Sequence, residues 1–179
     1  MPKALFQIAK NLTNLAIYGS ASKAYEFYAQ KFPGDKKALI ALQNAAFYRM
    51  GLGEYDKAIE NYQTYMRLVG KKDKAKAAEV YFSIGKIYEQ RKQWPKVISH
   101  YKKFLRNNAK DGTPDLEIDA FTRIGNAYWE QAQPFLRRKR KDWKNFDMLN
   151  RAAQRAYNSA YQVFTALSLD AKKKLTSGI

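Results

Sequence analysis

A small residue, an aromatic four positions on and a second aromatic three further recur together as Ala21-Tyr25-Tyr28, Ala58-Tyr62-Tyr65 and Val97-Tyr101-Phe104, at intervals of 37 and 39 residues. Repetition at this period constrains the fold more than any other feature. A single helical hairpin cannot bury its own apolar face and must stack against neighbours. Counting back 19 residues from each small residue places repeat starts at Pro2, Leu39 and Ala78. The leading helices carry Ile8-Ala9, Ala45-Ala46 and Ile84-Gly85 at matching places, each preceded at three residues by Leu5, Leu42 or Tyr81. Small residues there let helices approach, and the large ones fill the gaps that remain. Tyr18, Tyr55 and Trp94 mark the junction between the two helices of each repeat. A fourth leading helix follows at Ile118, 40 residues after the third, with Phe121, Ile124-Gly125 and Tyr128 in the same places.

Helix punctuation agrees with this register. Asp35, Asp73 and Thr113 stand where a side-chain oxygen accepts from the orphan amides of a leading helix, and Pro114 follows as a favoured first helical residue. Pro95 opens a second helix after Trp94, while Gly53 and Gly70 mark a turn and a helix end. No stretch alternates with a period of two for long enough to predict a strand. The expected class is all-α.

Leu52-Gly53-Glu54-Tyr55-Asp56-Lys57-Ala58-Ile59-Glu60-Asn61-Tyr62, Val80-Tyr81-Phe82-Ser83-Ile84-Gly85-Lys86-Ile87-Tyr88 and Phe32-Pro33-Gly34-Asp35 resemble the tetratricopeptide repeat (TPR) family, and the resemblance covers residues 2 to about 168. It implies a right-handed α-solenoid of about four stacked hairpins in a single domain, 1–179, with units near 2–37, 39–76, 78–112 and 118–168 and an insertion near 134–149. The family's basic unit is about 34 residues, so spacings of 37 to 40 require longer helices or links. Stretched units with a Phe-Pro-Gly-Asp ending are similar to TPR proteins of bacterial cell envelopes, including outer-membrane assembly factors and gliding-motility scaffolds.

The resemblance further implies that leading helices line a concave groove. Carried onto this chain, its positions fall on Lys3, Phe6, Gln7, Lys10 and Asn14 in the first repeat and on Gln43, Asn44, Phe47 and Met50 in the second. The third supplies Glu79, Phe82, Lys86 and Glu89, and the fourth Thr122, Arg123, Asn126, Trp129 and Glu130. Aromatics mixed with amides suit an extended or helical peptide whose backbone is held by Asn and Gln. Helical period alone does not separate groove from neighbouring repeat, so Phe47, Phe82 and Trp129 are read either as groove residues or as packing. The family's clamp for a terminal carboxylate does not fit. Asn44 matches it, but Lys10 replaces an Asn, and Glu79 and Ser83 stand where cations are needed.

The fourth repeat breaks the pattern. Its small residue is due at Arg137, where the sequence runs Arg137-Arg138-Lys139-Arg140-Lys141, and the pattern returns 16 residues late as Ala153-Tyr157-Ala160. An insertion carrying those five cations, Trp143, Lys144 and Phe146 therefore separates or lengthens the two helices. It reads either as a solvated helix extension or as an anion-binding site of Arg137, Arg138, Lys139, Arg140, Lys141 and Lys144. Lys plus Arg outnumber Asp plus Glu by 33 to 16, and residues 131–179 hold 11 cations against 3 anions. Such an end attracts nucleic acid, an anionic lipid surface or an acidic protein. Other lysines, as in Lys36-Lys37 or Lys102-Lys103, need no explanation beyond solubility.

No chemistry-bearing constellation emerges. With no cysteine, thiolate zinc sites, disulfides and thiol catalysis are excluded. A lone His100 has no second metal ligand, and Asp111, Asp115, Glu117 and Asp119 lack calcium-loop spacing and suit a helix N-terminus instead. No phosphate-cradling glycine loop is present. The chain is read as non-enzymatic, without cofactor or metal. Its expected role is to bind a protein partner in the groove within a larger bacterial assembly, or alternatively a polyanion through the basic insertion. Met1-Pro2-Lys3-Ala4-Leu5-Phe6 has no secretion-signal core, and no run spans a membrane. The compartment is not read from the sequence: a soluble chain is expected, of the bacterial cytoplasm, or of the periplasm if a leader or anchor was removed.

Overall fold

The computed structural model describes residues 2–69, 72–137 and 142–177. Among them are eight α-helices and no strand: α1 (Pro2–Asn14), α2 (Tyr18–Lys31), α3 (Lys36–Gly51), α4 (Tyr55–Val69), α5 (Lys74–Gln90), α6 (Trp94–Asn107), α7 (Pro114–Arg137) and α8 (Trp143–Ser177), with a short 3₁₀ turn at Ala109–Asp111. The chain divides into two compact units, Met1–Ile87 and Tyr88–Ile179, and the division falls inside α5.

In the first unit α1 packs on α2, α2 on α3 and α3 on α4. The recurring triad makes the core: Ala21, Tyr25 and Tyr28 are buried together with Ala58, Tyr65, Ala45 and Leu42. Phe6 from α1 meets Tyr25 and Tyr28 edge-on, with ring centroids 5.5 and 5.2 Å apart. Each fully buried aromatic is worth about 1.5–3 kcal/mol from area alone, and edge-to-face geometry adds to that. In the second unit Val97, Tyr101 and Phe104 of α6 are buried, as are Ala120, Ile124 and Ala127 of α7 and Ala153, Ala156 and Ala160 of α8.

Three turns share one geometry. Ile17, Glu54 and Gln93 donate their backbone N–H to Leu12, Arg49 and Tyr88 carbonyls at 2.9, 2.8 and 2.9 Å, while Ala16, Gly53 and Lys92 donate to Thr13, Met50 and Glu89. That double bond pattern is the Schellman motif, which requires a left-handed residue just past the helix. Ala16, Gly53 and Lys92 occupy it with φ of 57°, 74° and 52°. The spacing repeats, but only the middle turn uses glycine. Ala16→Gly and Lys92→Gly are each expected to stabilise the chain, by about 0.5–1 kcal/mol, measurable in urea melts.

Caps follow expectation at two of three places. Asp35 Oδ1 accepts from Lys37 N at 2.7 Å, and Asp73 Oδ1 accepts from Lys76 N at 3.0 Å. Thr113 instead uses its carbonyl, which accepts from Leu116 N. Asp35→Ala should therefore speed amide exchange in the first turn of α3 about fivefold.

The extra residues of the last repeat lengthen both of its helices. α7 has 24 residues and α8 has 35, against 13 to 17 in α1 to α6. Pro134 lies in the final turn of α7, where its missing N–H removes one backbone bond. Asp142 then caps α8 by accepting from Asn145 N at 3.2 Å. Among the described residues no helix is long and apolar enough to cross a membrane.

Candidate functional site

Polar groups gather in three places, and the first is structural. Arg49, only 3% exposed on α3, donates through Nε and Nη2 to Glu26 Oε1 and Oε2 at 2.8 and 2.7 Å. Its Nη1 donates to Glu54 Oε2, and Asn61 Nδ2 donates to Glu26 Oε1 at 2.9 Å. Burial alone would raise the Glu26 pKa, but the bonds from Arg49 and Asn61 and the charges of Arg49 and Lys57 hold it below the ordinary 4.5. The network ties α2, α3, the turn after α3 and α4 together. It borders a surface cavity of about 650 Å³ whose lining holds four cations, Lys23, Arg49, Lys57 and Arg67, against the carboxylates of Glu26 and Glu60.

The second place is a cavity of about 390 Å³ in the first unit, lined by Phe6, Lys10, Thr13, Asn14, Tyr25, Lys37, Ile40, Asn44 and Tyr48. It lies between α1 and α3, the leading helices of two successive repeats. Two ammonium groups, two amides and no carboxylate face it. The Lys37 Nζ stands 5.0 Å from the Phe6 ring centroid, so part of its charge is met by that aromatic face. Phe47, next along α3, is 62% exposed and meets Tyr48 edge-on at 5.5 Å.

A third cavity, about 280 Å³, belongs to the second unit and is lined by Glu89, Trp94, Arg123, Asn126, Ala127, Trp129 and Glu130. Arg123 is clamped by Glu89 at 2.5 Å and Asp119 at 3.0 Å. Tyr101, fully buried on α6, feels the charges of both Glu89 and Arg123. Burial raises its phenol pKa far above the ordinary value, and the Glu89 charge raises it further. Asn126 Oδ1 accepts from the Tyr157 hydroxyl at 2.8 Å. The Tyr157 ring lies flat on Gly125, where a Cβ would sit 2.5 Å from Cε1. Trp129 is backed edge-on by Phe146 at 6.1 Å, and Phe146 in turn by Trp143 at 6.1 Å.

The groove residues expected from sequence thus sort into two groups. Phe6, Lys10 and Asn44 share the first-unit cavity, and Glu89, Asn126 and Trp129 share the second-unit one. Gln7 is exposed and bonds Asn11 on its own helix; Gln43 is exposed, and neither lines any of these three cavities. Phe82 is corrected from groove to core. It is 1% exposed, and Lys86, itself exposed, places Nζ 5.6 Å from its ring. Phe6, at 8% exposed, forms the floor of its cavity rather than a free face.

Of the expected anion site, Arg138, Lys139, Arg140 and Lys141 lie outside the described residues. Arg137 ends α7, and Lys144 is exposed in the first turn of α8. Sequence reasoning did not assign Lys37, Tyr48 or Trp94 to a site. Lys37 sat in what read as a link, and Trp94 counted only as a junction aromatic. Phe146 of the insertion also reaches Trp129, a contact that no spacing rule signals.

No protein-family model and no curated protein matches the chain by sequence. Among solved structures it is similar to MamA at 16% identity, over 93% of this chain and 80% of that one, with a TM-score of 0.58. It is similar to BtubC from P. vanneervenii at 15% identity, over 93% of this chain but only 64% of that one, with a TM-score of 0.61. A tetratricopeptide repeat protein from Parabacteroides merdae matches at 14% identity, over 96% of this chain and 67% of that one, with a TM-score of 0.54. At such identities the likeness shows the fold, an all-α helical repeat.

Proposed function

We propose that this chain, whose all-α helical repeat fold is that of the tetratricopeptide-repeat proteins, is a non-enzymatic scaffold that holds a segment of a protein partner along its leading helices, within a larger bacterial assembly. The fold commonly mediates protein–protein interaction, but fold alone fixes no partner, so the reading rests on side chains. One observation carries it. In each unit an asparagine precedes a large exposed aromatic by three residues, Asn44 before Phe47 on α3 and Asn126 before Trp129 on α7, beside a cavity. Residues three apart share a helix face. Each pair offers an amide to a peptide backbone and an apolar surface to its side chains, as partner-binding faces do.

The test is capture from lysate of the source cell at low and high salt. The intact chain is compared with Asn44→Ala/Phe47→Ala, with Asn126→Ala/Trp129→Ala, and with a variant in which Arg137, Arg138, Lys139, Arg140 and Lys141 become Gln. A protein held at high salt by the intact chain and the Gln variant, and lost about tenfold or more with either groove pair, is the expected result. Capture of nucleic acid or anionic lipid, lost in salt and lost with the Gln variant, would overturn the scaffold in favour of the basic insertion, because phosphate contacts release counterions.

A further inference from the structure

The cavity of the second unit differs in chemistry from the rest of this strongly basic chain. Two carboxylates, Glu89 and Glu130, line it against a single guanidinium, Arg123, which is held by Glu89 and, from beside the cavity, by Asp119. Part of the surplus negative charge rests at Glu130, which is exposed and makes no ion pair among the described residues. Two indoles line the same space, Trp94 at the start of α6 and Trp129 near the end of α7. Other aromatics of this unit are covered by the chain's own cations: Lys102 Nζ lies 5.3 Å from the Tyr128 ring and Lys96 Nζ 5.8 Å from Tyr88. No cation of the described chain covers Trp94 or Trp129. At about 280 Å³ the cavity falls below the usual range for a whole small-molecule ligand, and suits one side chain.

Resting on the scaffold reading, we infer that this cavity receives a lysine or arginine side chain of the bound segment, its alkyl stem between the Trp94 and Trp129 indoles and its charge against the Glu130 carboxylate. A cation over an indole face is attracted by the ring quadrupole, most strongly for tryptophan. The carboxylate, though exposed, adds Coulomb attraction at close range. The receptor is also set before the ligand arrives. Phe146 backs Trp129, Pro95 fixes the start of the helix that carries Trp94, and Asn126 is held by Tyr157. Side chains already ordered lose little freedom on binding. The first-unit cavity, with Lys10 and Lys37 and no carboxylate, would repel the same guest.

The experiment follows the indole N–H signals of Trp94 and Trp129 in ¹H–¹⁵N spectra of the full chain titrated with Nα-acetyl-lysine amide. Nα-acetyl-norleucine amide has the stem without the charge, and Nα-acetyl-glutamate amide reverses it. Saturable shifts of both indoles are expected with the lysine compound alone of the three, with dissociation constants of about millimolar. Glu130→Gln, a surface change that leaves the fold intact, should weaken this about fivefold, and Trp129→Leu about tenfold. Equal binding of the norleucine compound would reduce the cavity to an apolar slot and overturn the inference. So would stronger binding of the glutamate compound, which would mean that Arg123 receives an anion, or the absence of any indole shift. Because no partner enters this titration, its failure beside a protein captured through Asn126 and Trp129 removes the cation site and leaves the scaffold. Loss of capture removes the scaffold whatever the titration shows.

Discussion

Arg49→Ala is expected to destabilise the first unit by about 3–5 kcal/mol, enough to consume much of a small unit's stability. The side chain is 3% exposed and holds Glu26 bidentately while also bonding Glu54. Truncation leaves a cavity in α3 and strands the Glu26 carboxylate, partly buried, with only Asn61 to donate to it. The cost is thus mostly that of an unpaired charge, and not the net worth of the ion pair. Arg49→Met/Glu26→Leu tests the distinction, since replacing both partners by apolar groups of similar volume is often nearly neutral. Urea melts followed by circular dichroism should show a large loss for the single variant and substantial recovery for the double. A single variant within about 1 kcal/mol of the parent would show that water enters and solvates the carboxylate.

The same network sets a pH dependence. The folded-state pKa values of Glu26 and Glu54 are depressed, so they contribute stability that is fully present above the ordinary value of 4.5 and is lost as pH falls through the lower folded values. Asp35 and Asp73, below their ordinary 3.8 because backbone amides at the starts of α3 and α5 donate to them, act in the same direction. The first unit should therefore weaken on acidification from about pH 4.5 downward, and Glu26→Gln should flatten that slope while lowering stability at neutral pH.

How much of this was legible in the sequence varies with the kind of interaction. Apolar periodicity is local and repeats, so Ala21-Tyr25-Tyr28 and its two later copies mark the buried face of α2, α4 and α6 directly. Caps were legible where a short acid precedes a helix, at Asp35 and Asp73. Left-handed turn positions were legible only at Gly53. Ala16 and Lys92 hold the same conformation without the residue type that advertises it, and only the spacing connects them. Groove and core were harder to separate. Phe82 and Phe47 occupy related helix positions, yet one is buried and the other open, because burial depends on neighbours distant in sequence. The Arg49 network was invisible for the same reason: Glu26, Arg49 and Asn61 meet across three helices.

Gly125→Ala should cost about 1–3 kcal/mol in the second unit, against the ordinary rule that alanine improves a helix interior by about 1 kcal/mol. The added Cβ would lie 2.5 to 2.8 Å from three ring atoms of Tyr157, far inside contact distance. The backbone of α7 cannot yield without disturbing Ile124 and Ala127, which are buried beside it, so the ring must move. Tyr157 is 37% exposed and has room to swing outward. In doing so it gives up both its packing on α7 and its hydrogen bond to Asn126, which leaves the strain term smaller than in a closed core but real. A double-mutant cycle separates these effects. In a Tyr157→Ala background the obstacle is gone, and Gly125→Ala should become neutral or stabilising by its helix propensity. The site provides a second readout, because a displaced Tyr157 releases the Asn126 side chain one turn from Trp129. Gly125→Ala should then perturb the Trp129 indole signal while Tyr157→Ala/Gly125→Ala adds nothing beyond Tyr157→Ala alone. Equal effects of Gly125→Ala in both backgrounds would mean that the ring does not rest on the glycine and that α7 and α8 are held together by the alanine contacts alone.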